Sequence, residues 1–278
     1  MKLSVIVVNY NMCALLKASL GSLTKACKHI DYELIVIDDA STDRSVKMLQ
    51  SEFPKAEIIV NAKCLGTAKS RNLGLAKAVG EYVLLVSADT ITASNALEGT
   101  LAFMDAHTHA GGVGIRMLTP QGRFLHMSRR GFNRAWEAFF KLTGLARHFT
   151  KSRLYKNGKD NWVDEFETAE VDVINGAFML LRRNVINEVG GLDERLTMFG
   201  HDIDLSYRIR LAGYKNYYFP KSYIINVRKQ QSAKFSWAYI THFYGAMIIF
   251  AAKYLFRMPE IKIPEVPQLF APNYELEK

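Results

Sequence analysis

The 278-residue chain is 49% hydrophobic, 12% aromatic and 23% charged, an ordinary globular composition that excludes a disordered, collagen-like or disulfide-scaffold protein. A chain of this length buries roughly three quarters of the surface its unfolded form exposes, so its core needs no metal or disulfide staple. Cys13, Cys27 and Cys64 are odd in number and lack CxxC spacing, which points to a reducing compartment and away from a disulfide framework or structural zinc.

The formal charge of +9 lies in one block. Between Arg123 and Lys159 stand ten basic residues (Arg123, Arg129, Arg130, Arg134, Lys141, Arg147, Lys151, Arg153, Lys156 and Lys159) against one acid, Glu137, and the rest of the chain balances. Such a block is either a solvated face or an attractor of nucleic acid, anionic lipid or a diphosphate-bearing substrate. No recognised nucleic-acid module accompanies it, so nucleic acid is not expected as a partner.

In chain order, the start MKLSVIVVNYN is a short apolar run without a cleavage-site pattern. It reads as a buried strand and not a signal peptide, and a cytoplasmic protein is expected. Strands are predicted at Leu3–Val8, Glu33–Ile37, Glu57–Val60 and Tyr82–Val86, separated by helical segments near Met12–Ala26, Arg44–Glu52 and Ala68–Val79. This alternation predicts a Rossmann-like half-domain. Ligands sit at the carboxyl ends of such strands, which makes Asn9-Tyr10-Asn11, Asp38-Asp39, Asn61 and Ser87-Ala88-Asp89 the candidates.

Farther on, Val171–Leu181 reads as a strand containing Asn175-Gly176-Ala177, a helix follows over Asp202–Leu211, and strands are expected at Lys215–Phe219 and Tyr223–Val227. The segment Phe235–Phe256 has three readings: a membrane span, a helix packed on the domain, or an interfacial helix. Its most apolar stretch, Trp237–Ala252, is 16 residues and contains His242, short of the ~20 residues a span needs. Trp237, Tyr239, Tyr244 and Tyr254, flanked by Arg228, Lys229, Lys234, Lys253 and Arg257, suit an interfacial helix. Residues 259–278, with prolines 259, 264 and 267, are expected as an extended tail.

Four constellations carry chemistry. Asp38-Asp39 closes the second strand; adjacent carboxylates there are costly unless they bind a ligand or cap a helix. Ser41 or Asp43 suffices as a cap, leaving the pair for the imide N–H of a pyrimidine base or a ribose hydroxyl. Cys64-Leu65-Gly66 opens the third helix, whose N–H groups, with Lys69 and Arg71, favour a diphosphate. Neither GxGxxG nor GxxxxGK[ST] occurs, which removes dinucleotide oxidoreductases and P-loop enzymes. Asp89, after a very apolar strand, suits a hard divalent cation beside a diphosphate, or else caps the helix expected from Ala93. Phe199-Gly-His201-Asp202-Ile-Asp204 places three ionisable groups at a helix start, more than capping requires, and Asp202 is favoured as a general base for a sugar hydroxyl.

Taken together, Ser4–Asn11, Val36–Asp43, Asn61–Gly74, Leu84–Thr90, Asn175-Gly-Ala-Phe-Met, Gly190–Glu194 and Phe199–Tyr214 resemble glycosyltransferase family 2 enzymes of the GT-A fold, especially the bacterial rhamnosyltransferase-like branch, over about Leu3–Ser232. The resemblance implies an α/β GT-A fold: a Rossmann-like nucleotide-binding half (1–110) with a mixed central sheet and an acceptor-binding half (111–232). Beyond it an amphipathic or apolar C-terminal helix (233–258) and the extended tail (259–278) are expected. The resemblance also implies an inverting transferase using a nucleotide-diphospho-sugar and a divalent metal, Mg²⁺ or Mn²⁺. The acceptor is expected to be a cell-surface glycan or a lipid-diphosphate-linked one, which gives the basic block and Phe235–Phe256 a peripheral contact with the inner face of the cell membrane. Asn9, Tyr10, Asp38, Asp39, Gly66, Arg71 and Ser87 would then serve the nucleotide, Asp89 the metal and Asp202 catalysis. Asn175, Gly176, Ala177, Asp193, Glu194 and His201 would lie on the acceptor and sugar side. Three departures stand out: Ser87 where the family's metal motif carries Asp or Asn, Asn226 where a histidine is frequent, and His201 in place of the usual acid before the base. The alternative they raise is a catalytically silent nucleotide-sugar or glycan-binding homologue.

Overall fold

The computed structural model describes residues 1–126, 128, 134–144, 165–196, 199–227 and 237–254. Strands β1 (Leu3–Asn9), β2 (Tyr32–Asp38), β3 (Glu57–Val60) and β4 (Tyr82–Ser87) are parallel, with β1 between β2 and β4. Their apolar runs are continuous because the middle strands are covered on both faces. Val5 and Val7 face one cluster with Leu16, Leu20 and Leu23 of α1 (Cys13–Ala26), while Ile6 faces another with Ala68 of α3 (Thr67–Lys77). Helix α2 (Ser45–Glu52) packs beside α1.

Beyond β4 the sheet turns mixed. Its order is β3-β2-β1-β4-β8-β6-β9-β5, with β7 paired to β9, where β5 is Thr90–Thr92, β6 Ala110–Leu118, β7 Ala169–Val171, β8 Phe178–Arg182 and β9 Lys215–Asn226. Between them stand α4 (Ala96–Ala106), α5 (Arg134–Leu142), α6 (Arg183–Val189) and α7 (His201–Leu211). Strand β8 runs antiparallel to both β4 and β6.

Three expectations are corrected. Val171–Leu181 is not one strand but β7 and β8 separated by a turn. The Asn175 side chain accepts the Ala177 N–H at 2.9 Å, and the Gly176 N–H is donated to Asp202, so these groups are spent outside any ladder. The two strands expected over Lys215–Val227 are one, β9, whose register slips between Phe219 and Tyr223; Pro220, without an N–H, sits in that irregularity. The helix expected from Ala93 begins at Ala96, after β5.

Strand β6 has no counterpart among the predicted elements. Its Gly111, Gly112 and Gly114 mask the strand pattern, yet a Cβ there would stand 2.5 Å from Ile209, 2.7 Å from Ile174 and 3.0 Å from Ile174, respectively. Close packing of α7 and the 172–177 turn on this strand demands glycine.

Of the three readings of Phe235–Phe256, the packed helix is observed. Helix α8 (Trp237–Tyr254) buries Phe243, Ala246, Met247 and Phe250, spaced for one face, against Trp136, Phe140, Leu196, Ile203 and Tyr207. Among the described residues no helix is long and apolar enough to cross a membrane. Most of the basic block and the tail 259–278 lie outside the described residues; Arg123 and Lys141 are exposed.

Candidate active site

Strand ends bring the first group together. Asn9 is fully buried, and its Nδ2 donates to Asp38 Oδ1 at 2.9 Å and to Ser41 Oγ at 3.1 Å. Asp38 Oδ2 accepts the Ser41 N–H at 2.9 Å, so Asp38 shapes the turn after β2. The cap of α2 falls to Asp43, whose Oδ1 accepts the Ser45 N–H at 2.9 Å, while its Oδ2 accepts the Cys13 N–H of α1 at 3.0 Å. Asn11, at φ 53°, accepts the Thr42 N–H at 2.7 Å. Tyr10 is half exposed beside this turn.

Asp39 is the hub of the 61–66 loop. Only 2% exposed, its Oδ1 accepts Asn61 Nδ2 and the Leu65 N–H at 2.8 Å and Ser70 Oγ at 3.0 Å; its Oδ2 accepts the Gly66 N–H at 2.9 Å and Cys64 Sγ at 3.2 Å. Burial raises the pKa of this carboxyl, but the donors from Leu65, Asn61, Cys64 and Gly66 outweigh it and hold the group below its ordinary value. Gly66 adopts φ 88° at the start of α3, a conformation that favours glycine.

The second group surrounds Arg71, which is 3% exposed. Its Nη2 donates to the Gly176 carbonyl at 2.7 Å, and its Nη1 lies 3.5 Å from His201 Nε2. Burial pushes the guanidinium down to about 10, against the opposing pull of the Asp202 and Asp89 carboxylates. Both carboxylates therefore share its field. Asp202 stands in the first turn of α7, where the helix dipole favours an anion. Its Oδ2 accepts the Gly176 N–H at 3.0 Å and its Oδ1 the Ile203 N–H at 3.0 Å. A Cβ on Gly176 would stand 3.2 Å from Asp202 Oδ2, so glycine keeps that carboxylate seated. Ala177 accepts the Ser87 N–H at 3.1 Å, tying this turn to the end of β4. Gly200, ahead of α7, has φ 82°, and a Cβ would meet the Trp136 ring at 3.1 Å.

His201 is buried at 7% exposure and pushed down to about 4, first by burial and then by Arg71, with Asp202 and Asp204 acting oppositely. The imidazole is neutral at pH 7. Below an unfolded-state pKa near 6.5 the unfolded chain takes up a proton that the folded chain refuses until about pH 4. We expect stability to fall by up to about 3 kcal/mol over this window. Denaturant titrations from pH 7.5 to 4.5 should show that slope in the wild type and not in His201→Gln; equal slopes would refute it.

The loop 190–195 forms the third wall. Asn72 Nδ2 donates to the Leu192 carbonyl at 2.8 Å and to Glu194 Oε1 at 3.1 Å, and its Oδ1 accepts the Leu192 N–H at 2.8 Å. Arg208 donates to the carbonyls of Val189, Gly190 and Gly191. Asp193 accepts the Arg195 side chain and Lys253 Nζ. Asn72 and Arg208 were not among the expected site residues. Asn72 follows Arg71 directly, and that adjacency is the one signal in the sequence that could have marked it.

The chemistry of the donor set decides what cation fits. Val227 N–H donates to the Asp89 carbonyl at 2.9 Å, and Thr90 pairs with Asn226, so β9 brings Asn226 next to Asp89. Among the described residues no three His, Cys, Asp or Glu side chains converge. One carboxylate with hydroxyl and amide neighbours fits a Mg²⁺-like ion that shares its coordination with phosphate oxygens, and not an ion held by protein alone.

The model of the family described as glycosyl transferase family 2 matches residues 4–190. The chain is 34% identical over 127 residues to the poly(ribitol-phosphate) beta-N-acetylglucosaminyltransferase TarS of Staphylococcus aureus, covering 44% of this chain and 22% of that protein; it thus spans about a fifth of that relative. The structure of TarS 1–349 in complex with UDP-GlcNAc superposes with a TM-score of 0.59 at 22% identity, covering 91% of this chain and 66% of the other. The N-acetylglucosaminyl-diphospho-decaprenol L-rhamnosyltransferase of Mycobacterium tuberculosis is 21% identical over 268 residues, 90% of this chain and 84% of that one. The mannosyltransferase PcManGT from Pyrobaculum calidifontis, in complex with GDP-Man and Mn²⁺, superposes with a TM-score of 0.63 at 17% identity, covering 93% and 65%. At these identities the superpositions show the fold, which is GT-A.

Proposed function

Because this chain belongs to glycosyl transferase family 2, we propose that it is an inverting glycosyltransferase that moves a sugar from a nucleotide-diphospho-sugar onto a cell-surface glycan or a lipid-diphosphate-linked acceptor. Rhamnose from dTDP-rhamnose is one candidate, as are the UDP-sugars. Residues 1–110 take the nucleotide and 111–232 the acceptor. The observation that carries this reading is the seating of Asp202 at the start of α7 by the Gly176 N–H, beside Arg71 and within the field shared with Asp89.

The acceptor oxygen bonds to the anomeric carbon as the bond from that carbon to the diphosphate oxygen breaks. Asp202 accepts the hydroxyl proton. Arg71 sets a fixed positive charge next to the departing diphosphate without reorganising. A divalent cation held at Asp89 and the diphosphate would neutralise the leaving group. The Gly191–Glu194 loop faces the acceptor. The charge block and the exposed Tyr244 and Ile248 of α8 support a place at the inner face of the membrane, where lipid-linked acceptors lie.

The test screens UDP- and dTDP-sugars for binding and slow hydrolysis with Mg²⁺ or Mn²⁺, using wild type and Asp89→Ala, and repeats turnover on anionic vesicles carrying a lipid-diphosphate acceptor. Metal-dependent hydrolysis of one donor, lost in the variant, is expected. Binding of a nucleotide-sugar without turnover would favour the silent-homologue reading that Ser87 and Asn226 motivate, and absence of all binding would sink both.

A further inference from the structure

Two walls of the site are joined by one lysine from the far end of the chain. Lys253 Nζ donates to Asp193 Oδ2 at 3.1 Å, on the 190–195 loop, and to Asp204 Oδ1 at 2.8 Å, on the helix turn that carries Asp202. Asp204 is fully buried and also accepts Tyr254 Oη at 2.7 Å and Arg208 Nε at 2.8 Å. On its other side the same loop is held by Asn72, whose neighbour Arg71 binds Gly176, which in turn binds Asp202. The contacts close a ring: Asp202, Gly176, Arg71-Asn72, Leu192-Asp193, Lys253, Asp204 and back along α7.

Resting on the transferase reading above, we infer that Lys253, seconded by Tyr254, is a positioning residue that sets the distance between the Asp202 carboxylate and the 190–195 loop, so that helix α8 belongs to the catalytic unit. The spacing is built into the charges. Asp193 keeps Arg195 and Asp204 keeps Arg208 when Lys253 is removed, so neither carboxylate is stranded; what disappears is the cross-link, and two like charges are left to repel across the gap. The cost falls on geometry, and a small misplacement of a reacting group lowers turnover far more than it lowers binding.

The experiment uses the full chain with Lys253→Met, Tyr254→Phe and Lys253→Arg, read by amide hydrogen exchange and by hydrolysis of the donor selected in the screen. In Lys253→Met the Leu192 and Leu196 amides should exchange about tenfold faster or more, with β1 amides within about twofold of wild type. Donor hydrolysis should fall about tenfold in kcat with KM changed less than about twofold. Tyr254→Phe should move both in the same direction by less, and Lys253→Arg should restore them. Unchanged loop exchange, a rise spread evenly through β1, or a kcat equal to wild type would overturn the inference. A wild type that hydrolyses no nucleotide-sugar would overturn the transferase reading alone, because the exchange data still decide whether Lys253 holds the loop.

Discussion

Asp202→Asn is expected to lower transfer by about 10²–10⁴-fold in kcat, the usual contribution of a general base, with donor affinity nearly unchanged. The amide keeps the shape of the carboxylate but cannot take the acceptor proton. Its oxygen can still accept one of the two backbone N–H groups, of Gly176 and Ile203, that now seat the two oxygens, so the turn stays in place at a modest cost in stability. Asp204→Asn, two residues on, separates the roles: that carboxylate is buried and spent on Arg208, Lys253 and Tyr254, so the change should lower stability more and chemistry less. Steady-state kcat and donor KM for both variants check this. A fall of less than about tenfold in Asp202→Asn would remove Asp202 from the role of base.

Asp39→Ala should destabilise the fold by about 3–4 kcal/mol. Five donors converge on that carboxylate, two of them the Leu65 and Gly66 N–H groups ahead of α3. Each buried donor left unsatisfied costs about 1–3 kcal/mol, a cost that water entering the gap reduces. The sign with pH follows from the lowered pKa of the group: its contribution is present above the unfolded value near 4 and fades as pH falls through the folded one. The variant should therefore lose stability at pH 7 and show a shallower decline below pH 4 than wild type. Urea titrations at pH 7 and pH 3.5 decide it; a loss below about 1 kcal/mol at pH 7 would mean that the 61–66 loop holds without Asp39. Asp38→Ala, which removes an acceptor of two donors only, should cost less.

Much of the parallel half was legible, because apolar runs of strand length alternate with helical segments that end in Gly or charge, and these local patterns follow from the chain's own periodicity. Observed β1 extends one residue past its prediction, to Asn9, which is buried and bonded to Asp38 and Ser41. Strand β6 was not legible, since its glycines answer to Ile209 and Ile174, far along the chain. What looked like two strands is one, because the pairing of β9 with β6 resumes beyond the irregularity at Pro220.

The family, the strand ends that carry Asp38, Asp39 and Asp89, and the helix start that carries Asp202 are all readable from local motifs, each with a local physical cause. It takes the fold to show that Asp39 is saturated by the 61–66 loop and Ser70, that Asn72 clamps the 190–195 loop, and that Lys253 ties that loop to the helix carrying Asp202. Those pairings join residues 22 to 120 positions apart. No periodicity or propensity encodes them; they exist because the sheet order sets β4 against β8 and α8 against α7.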